Sequence, residues 1–454
     1  MAQINTGVAG SAQPAVVDVV DFIDHQPVGR FQIGLLLTCA AVLFIDGFDT
    51  QAIGYVAPDL AREFNLDRSA MGMVFSAGLL GLMLGALTFG PIADRVGRKH
   101  IIIGSSIAFG LFTLATLFAH GITSLLAVRF LTGLGLGGAM PNAVALTSEF
   151  CPHRRRATMV MAMFCGFSVG AALGGLVAAA LIPAFGWRSV FVVGGVAPFL
   201  LAPVLVLHLP ESVRFLALNG QADERVREML SSIAASTRFP PGTRFAVKEA
   251  KAGGLPVTHL FRDGRGWMTV LFWTVFFMSL LDLYLLSNWL PTVLNDLGET
   301  ISAAAMIGAM LQIGGVVGAF TLGQFIDRFS FRALALIYLL AAFSVAAIGY
   351  SGRSIPLVTL AVFLAGFCVI GGQTASNALS AICYPTTARS TGVGWALGIG
   401  RLGSIVGPLI GGLMLSRHVG AETLFLAAAV PALCACASAF VLNKVALPAV
   451  RPRT

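Results

Sequence analysis

The sequence predicts an all-α membrane protein in which twelve transmembrane helices form two pseudo-symmetric six-helix bundles. Of the 454 residues, 57% are hydrophobic and 11% are charged, whereas soluble domains carry about 25% charged residues. Twelve apolar runs reach the length of about 20 residues that a bilayer requires. These predicted spans are 31–58, 69–92, 101–119, 122–147, 157–182, 188–208, 267–292, 301–326, 332–350, 356–383, 391–415 and 421–442.

A single ungapped offset of 233 residues relates the two halves of the chain. Pro152 and Arg156 recur as Pro385 and Arg389 at this offset. Glycines at equivalent spans follow the same rule, and the pairs are Gly81 and Gly314, Gly85 and Gly318, Gly133 and Gly366, Gly138 and Gly371, Gly170 and Gly403, and Gly174 and Gly407. Parallel repeats of this kind place a substrate site between the halves, near the middle of the membrane.

The remaining polar segments divide the chain into five parts. A cytoplasmic N-terminal segment (1–30) precedes the first bundle (31–208), and a linker (209–266) joins it to the second bundle (267–443) and a tail (444–454). Lys and Arg concentrate in the loops after even-numbered spans, which predicts that both termini are cytoplasmic. Apolar residues alternate with acids between Val16 and Asp24, and this pattern predicts a short amphipathic helix on the cytoplasmic surface.

The charge and histidine patterns exclude several classes of function. The net charge of +8 follows from the loop cations, so we expect no nucleic-acid partner. All seven His residues lie in loops or near span ends, and no pair has metal-ligand spacing within a span. No arrangement of a nucleophile and a base is visible. We therefore expect neither an enzyme nor a sensor, and no cofactor other than protons as the coupling ion.

Two carboxylates interrupt the first span where a membrane helix is deepest. Asp46 and Asp49 lie three residues apart, on one helix face. Each charge at this depth costs about 2.5–3.5 kcal/mol on insertion scales, so the face must look into protein or a watery cavity. The repeat relates Asp49 to Asp282 in the seventh span, and we expect these two acids to face each other across the pseudo-two-fold axis. A buried pair tied only to neighbouring helices is the alternative.

Two arginines lie inside later spans. We expect Arg129 of the fourth span to pair with the first span, because a buried Arg without a partner is very costly. It either forms a static ion pair or adjusts the protonation of a carboxylate. Arg401 of the eleventh span lies among glycines and can hold a substrate carboxylate with its planar donor fork. An ion pair with Asp282 is the alternative for Arg401.

The balance of these charges predicts proton-coupled uptake of an anion. Three embedded acids oppose two bases, so an anionic substrate increases the negative excess unless one acid takes up a proton. The proton-coupling candidates are Asp46, Asp49, Arg129 and Asp282. The proton is expected on Asp49, and Asp282 is the alternative carrier. The substrate-binding candidates are Arg401, Phe48, Tyr55, Phe164, Tyr284, Asn288, Trp289, Gln373 and Trp395. Packing or lipid contact is the alternative for each aromatic residue.

The loop between the second and third spans resembles a signature of the major facilitator superfamily. It reads Gly90-Pro-Ile-Ala-Asp-Arg-Val-Gly-Arg-Lys99, and a weaker copy, Gly323-Gln-Phe-Ile-Asp-Arg328, follows at the repeat offset. Asp94 can accept bonds at a helix N-terminus and pair with a cation of the opposite half, which closes the cytoplasmic side. The gating candidates are Asp94, Arg95, Arg98, Glu149, Asp327, Arg328 and Arg389.

Further motifs resemble the aromatic acid:proton symporter family within that superfamily. They are Asp46-Gly-Phe-Asp-Thr50, Gly186-Trp-Arg188, Pro210-Glu-Ser-x-Arg214, Ser287-Asn-Trp-Leu-Pro291 and Gly398-Ile-Gly-Arg-Leu-Gly403. The resemblance implies the major facilitator fold and import of hydroxybenzoates, protocatechuate or similar acids across the bacterial inner membrane, by a functional monomer. It also implies roles for Asp46, Asp49, Arg129, Arg389 and Arg401.

A drug or metabolite antiporter of the same fold is the alternative function. It would move cations or neutral amphiphiles against protons, and the two embedded arginines argue against cationic substrates. The residues do not separate one benzoate derivative from another.

Overall fold

The computed structural model of the protein is built almost entirely from α-helices. It describes residues 16–218, 223–233, 239, 243–246, 258, 260–261, 265–351, 354–384 and 389–445. The elements are β1 Val16–Asp18, α1 Val19–His25, α2 Arg30–Glu63, α3 Arg68–Val96, α4 Arg98–Ala115 with a 3₁₀ turn at Thr116–Phe118, α5 Ile122–Phe150, α6 His153–Phe185, α7 Arg188–His208, α8 Val213–Leu218, α9 Asp223–Ile233, β2 Arg244–Ala246, α10 Gly266–Asp296, α11 Ile301–Tyr350, α12 Ile355–Cys383, α13 Arg389–Ser416 and α14 Ala421–Val445.

The prediction of twelve transmembrane helices is confirmed. Helices α2 to α7 form the first six spans, and α10 to α14 contain the last six. The eighth and ninth spans, Ile301–Gly323 and Arg328–Tyr350, both belong to α11. The chain turns between them at Ser330, which has φ 47° and ψ −122°. Most helices run a few residues beyond the predicted spans, because their polar ends remain helical outside the apolar stretch.

The repeat seen in the sequence is also a repeat of helix contacts. Helix α2 packs against α6 as α10 packs against α13, and α3 packs against α5 as α11 packs against α12. The residues that form these contacts in one bundle are related to those in the other by the same offset of 233 residues. A Cβ added at Gly170 would collide with the carbonyl oxygen of Phe44, and one added at Gly403 would collide with that of Phe277. Both bundles therefore use glycine to bring helix backbones together.

A second pair of helices shows the same correspondence. Gly81 of α3 meets the carbonyl of Phe130, and its equivalent Gly314 of α11 meets the carbonyl of Phe363. Farther along the same helices, Gly90 and Gly323 have open space where a Cβ would lie. Close helix packing thus occurs at Gly81 and Gly314 but not at Gly90 and Gly323, and each pair of glycines occupies equivalent positions in the two halves.

A small layer covers the end of the protein that carries the linker, which we call the linker end. Strand β1 pairs in parallel with β2, with Val17 opposite Phe245. The side chain of Asp18 accepts hydrogen bonds from the first turn of α1, and the ring of Phe22 packs on Phe239 with centroids 5.2 Å apart. The predicted amphipathic helix from residue 16 is therefore only partly correct. Residues 16–18 form a strand because the linker supplies a partner strand.

The two bundles contact each other at the opposite end, which we call the far end. Arg68 forms an ion pair with Asp296 at 2.6 Å, and Arg62 donates to Asn295 at 2.7 Å. Deeper in the protein, the Ser76 hydroxyl donates to the carbonyl of Ile405 at 2.8 Å. These contacts hold the far ends of the first and second bundles together.

Replacing the contact glycines by alanine should destabilise the protein, whereas the open positions should tolerate the change. We expect Gly81→Ala and Gly314→Ala each to lose roughly 1–3 kcal/mol, the usual cost of overpacking. Gly90→Ala and Gly323→Ala are matched controls on the same helices and should keep the wild-type stability. The measurement is thermal unfolding of detergent-purified protein, followed by tryptophan fluorescence. Equal losses at all four positions would contradict the packing argument.

Candidate functional site

A buried ion pair lies in the middle of the first bundle. Asp49 of α2 and Arg129 of α5 are 1% and 4% exposed, and Oδ2 of Asp49 lies 3.8 Å from Nη1 of Arg129. Thr113 donates to Oδ1 of Asp49 at 2.9 Å. Arg129 donates to Thr116 at 3.2 Å. The predicted pairing of Arg129 with the first span is therefore present, and both carboxylate oxygens of Asp49 have partners.

Three residues that surround this pair are not among the site residues predicted from the sequence. Thr113 and Thr116 follow each other at a spacing of three on one face near the end of the third span, and their hydroxyls meet the two charges. The guanidinium of Arg129 also lies over the ring of Phe191, 4.9 Å from its centroid. The spacing of the two threonines is visible in the sequence. The position of Phe191 depends on how α7 packs and has no local signal.

Asp46 has a different environment from Asp49, although it lies only one helical turn away. It is 0% exposed. Its Oδ1 accepts a hydrogen bond from Thr50 at 3.1 Å, and its Oδ2 has no hydrogen-bond partner among the described residues. The cation within electrostatic range is Arg401 of α13. Asp46 therefore interacts with a cation of the second bundle, whereas the ion pair and the hydrogen bond of Asp49 are formed with residues of the first bundle.

Arg401 extends from the second bundle to the interface between the bundles. Its Nη1 donates to the hydroxyl of Tyr284 at 3.2 Å, and its Nη2 lies 3.7 Å from the Met140 sulfur of the first bundle. A thioether is a weak acceptor, so this side of the guanidinium fork can bind a stronger acceptor such as a carboxylate. Within the described residues no ion pair joins Arg401 to Asp282, so the alternative role for Arg401 is not realised in this structure.

Asp282 is a buried acid of the second bundle. Neither oxygen of the Asp282 carboxylate has a hydrogen-bond partner in the described part of the chain. The carboxylate interacts electrostatically with Tyr338 of its own bundle, and Tyr338 is hydrogen-bonded to Ser376 at 3.1 Å. The expectation that the two acids meet across the pseudo-two-fold axis stays a prediction. In the described part of the structure, each acid has its polar partners in its own bundle.

A cavity lies between the two bundles beside the ion pair. Asp49 and Arg129 line it from the first bundle, and Tyr284 and Asn288 line it from the second. The Asn288 amide donates to the carbonyl of Tyr284 on its own helix at 2.7 Å. Two of the predicted substrate-binding residues, Tyr284 and Asn288, are thus placed at the cavity.

Three other aromatic candidates are packed into the protein instead. Phe48 lies against Gly174 and Gly194. The Tyr55 hydroxyl donates to the carbonyl of Ala171 at 3.2 Å. Trp289 donates to the carbonyl of Pro408 at 2.9 Å and meets Phe75 edge-on with centroids 5.1 Å apart. In this structure the three residues pack as the alternative predicts. Glycines of neighbouring helices leave room beside Phe48, and backbone carbonyls accept the polar hydrogens of Tyr55 and Trp289.

The last three substrate candidates, Gln373, Trp395 and Phe164, are not among the residues that line the cavity. Gln373 is buried, and neither atom of its amide has a partner among the described residues. Trp395 is half-exposed and stacks on Trp273 with centroids 5.9 Å apart. Phe164 is half-exposed on α6.

The predicted gating residues form a network at the linker end. Arg98 pairs with Glu149 at 2.6 Å, and Glu149 accepts a hydrogen bond from Ser212 at 2.6 Å. Asp94 lies 3.7 Å from Arg98, and its side chain is 71% exposed. The expected partner of Asp94, a cation of the opposite half, is replaced here by Arg98 of the same bundle.

The expected helix-capping role belongs to another residue. Glu211 accepts hydrogen bonds from the backbone N–H groups of Arg98 and Lys99, at 2.7 and 3.2 Å, where a negative charge complements the helix N-terminus. Arg95 is exposed, and Arg328 lies over the ring of Phe329, 5.2 Å from its centroid. The side chains of Asp327 and Arg389 lie outside the described part of the structure.

Comparison with known proteins agrees with this architecture. The Major Facilitator Superfamily matches residues 39–352 and 272–454. The chain belongs to the major facilitator superfamily. It is a transporter rather than an enzyme, and it spans the membrane many times. A bacterial homologue of the human lysosomal transporter Spinster, solved in an inward-facing and occupied conformation, has the same fold, with a TM-score of 0.73 over 94% of this chain and 100% of that one at 19% identity.

Sequence relatives place the chain in the aromatic acid branch of the superfamily. The 4-hydroxybenzoate transporter PcaK of Pseudomonas putida is 44% identical over 92% of this chain and 93% of the relative. The gallate transporter of Pseudomonas putida is 42% identical over 93% of this chain and 94% of the relative. The resemblance drawn from the sequence motifs is therefore confirmed.

Removing one member of the buried ion pair should cost more than removing both. Asp49→Asn leaves Arg129 buried without a counter-charge, and we expect a loss of roughly 3–5 kcal/mol. The double variant Asp49→Asn with Arg129→Gln should recover most of it. Thermal unfolding of the single and double variants measures the difference. Losses that simply add would mean that the two side chains do not interact.

Proposed function

We propose that this protein imports small aromatic carboxylates such as hydroxybenzoates together with protons, across the bacterial inner membrane. The observation that carries the proposal is the position of Arg401. Its guanidinium lies between the bundles, with a weak thioether acceptor on one side. On the other side it donates to the hydroxyl of Tyr284, a residue that lines the cavity. This arrangement suits a carboxylate on a flat ring, and the named relatives transport 4-hydroxybenzoate and gallate.

Proton coupling follows from the charges around the cavity. Asp46, Asp49, Arg129 and Arg401 form a set with no net charge when all four are ionised. A bound anion adds one negative charge in a region of low dielectric, where an unbalanced charge is costly. Uptake of a proton by a carboxylate of this set removes the imbalance. The gradient of protons across the membrane can then drive accumulation of the anion.

Alternating access supplies the route across the membrane. We place the linker end in the cytoplasm because the loops at that end are rich in Arg and Lys. The far end then faces the periplasm and is closed by contacts such as Arg68 with Asp296. Rocking of the bundles separates these residues and exposes the cavity to the periplasm. The protein acts as a monomer in this proposal, since the cavity is formed by one chain.

Uptake of labelled 4-hydroxybenzoate into proteoliposomes tests the substrate and the coupling. With an inward proton gradient, we expect accumulation that a protonophore abolishes. Arg401→Gln should reduce the rate at least tenfold, because the anion loses its cation. Arg417→Gln, a change at an exposed cation directly after the end of the same helix, is the control and should keep the wild-type rate. If the rate of uptake does not depend on the proton gradient, symport is rejected. If proton entry instead drives export of the substrate, the antiporter is favoured.

A crosslink at the far end tests the alternation. In a variant carrying Arg68→Cys and Asp296→Cys, a short bifunctional thiol reagent that can be cleaved by reduction should stop transport, and reduction should restore it. Each single cysteine variant, treated with the same reagent, controls for the native cysteines. Continued transport by the crosslinked protein would show that the far end does not open.

A further inference from the structure

We propose that Asp46, rather than Asp49, is the residue that takes up the coupled proton, and that the substrate carboxylate triggers this uptake by binding Arg401. The inference rests on the proposed function and assigns one residue within it. It differs from the expectation drawn from the sequence, in which Asp49 carries the proton.

Both oxygens of Asp49 have partners within its own bundle, one in a hydrogen bond and one in an ion pair. Its Oδ1 accepts a hydrogen bond from Thr113, and its Oδ2 faces Arg129. Arg129 is itself enclosed by Thr116 and Phe191. A proton on Asp49 would leave Arg129 buried without a counter-charge, which is strongly unfavourable. The Asp49–Arg129 pair therefore remains ionised throughout the cycle and acts as a fixed structural unit.

Asp46 has both a free oxygen and a partner that can leave. Its Oδ2 is buried and has no hydrogen-bond partner among the described residues. The cation that interacts electrostatically with Asp46 is Arg401, which belongs to the other bundle. Arg401 is held there by one neutral hydroxyl and one thioether. Neither contact competes with a carboxylate for the guanidinium, so an incoming anion can engage it.

Within the described residues, few charged groups face Asp46. On its own helix the neighbour is Asp49, one turn away, and across the interface it is Arg401. In the sequence, α6 between residues 159 and 185 and α7 between residues 189 and 207 contain no Asp, Glu, Lys or Arg. The interior of α10 contributes Asp282, whose carboxylate interacts with Tyr338 of the second bundle. Because Arg129 is paired with Asp49, Arg401 is the cation whose engagement can change the charge state of Asp46.

The proposed step conserves charge. Before binding, Asp46 is ionised and Arg401 balances it. The substrate carboxylate then binds Arg401 and neutralises it, so Asp46 loses its counter-charge and takes one proton on Oδ2 from water. The site holds one anion and one additional proton and has the same net charge as before. Release of the anion frees Arg401, and Asp46 returns its proton.

Proton linkage of binding separates this assignment from the alternatives. The experiment measures the affinity of purified protein for 4-hydroxybenzoate by calorimetry between pH 6 and 9. For the wild type, we expect Kd to rise by up to about tenfold per pH unit, because binding takes up a proton. For Asp46→Asn we expect binding with a Kd that does not change with pH. The same variant in proteoliposomes should exchange substrate but fail to accumulate it.

The charge-balanced double variant, Asp49→Asn with Arg129→Gln, is the matched comparison. It should retain a wild-type dependence of Kd on pH if the Asp49–Arg129 pair is static. A pH dependence that persists in Asp46→Asn, or disappears in the double variant, would overturn the assignment while leaving the proposed function intact. Failure of the wild type to bind 4-hydroxybenzoate would instead overturn the proposed substrate.

Discussion

The ion pair of Asp49 and Arg129 is the interaction on which the middle of the first bundle depends. Lipid cannot solvate either charge, so the surrounding helices must stay in contact around the pair. Helix α4 and its 3₁₀ turn supply two hydroxyls, and α7 supplies the ring of Phe191. This requirement makes the first bundle a stable frame. It leaves Asp46, on the next turn of α2, as the acid directed to the second bundle.

The two ends of the protein are held by different kinds of interaction. At the linker end, a partly buried network joins Arg98 and Glu149 of the first bundle to Ser212 of the linker. At the far end, the bundles meet through exposed polar side chains such as Arg62 with Asn295. Exposed pairs contribute little stability, commonly 0–1 kcal/mol for an ion pair. Contacts of this strength suit a gate, because they can form and break during every transport cycle.

The sequence was sufficient to predict the helices and part of the site. Span positions follow from local hydropathy, and the pairing of Arg129 with the first span follows from the cost of a lone buried charge. The orientations of Tyr55 and Trp289 could not be predicted, because they depend on which neighbouring helix leaves room for a ring. The strand at residues 16–18 was missed because its partner lies beyond the whole first bundle in the sequence. The direction of Asp282 likewise depends on Tyr338 and Ser376, which are distant in sequence.

The matching glycine contacts carry a consequence for the history of the protein. Backbone-to-backbone packing agrees between the halves atom by atom, as at Gly170 with Phe44 and Gly403 with Phe277. The polar residues that surround Asp49 in the first half have no polar equivalents in the second half. At the offset of 233, Thr113, Thr116 and Arg129 correspond to Ala346, Gly349 and Val362. If the halves arose by duplication of one ancestral segment, the scaffold was inherited by both copies, whereas the counter-charge belongs to only one. The two halves of the chain thus share their helix packing, whereas only the first half contains the buried arginine that pairs with its central acid.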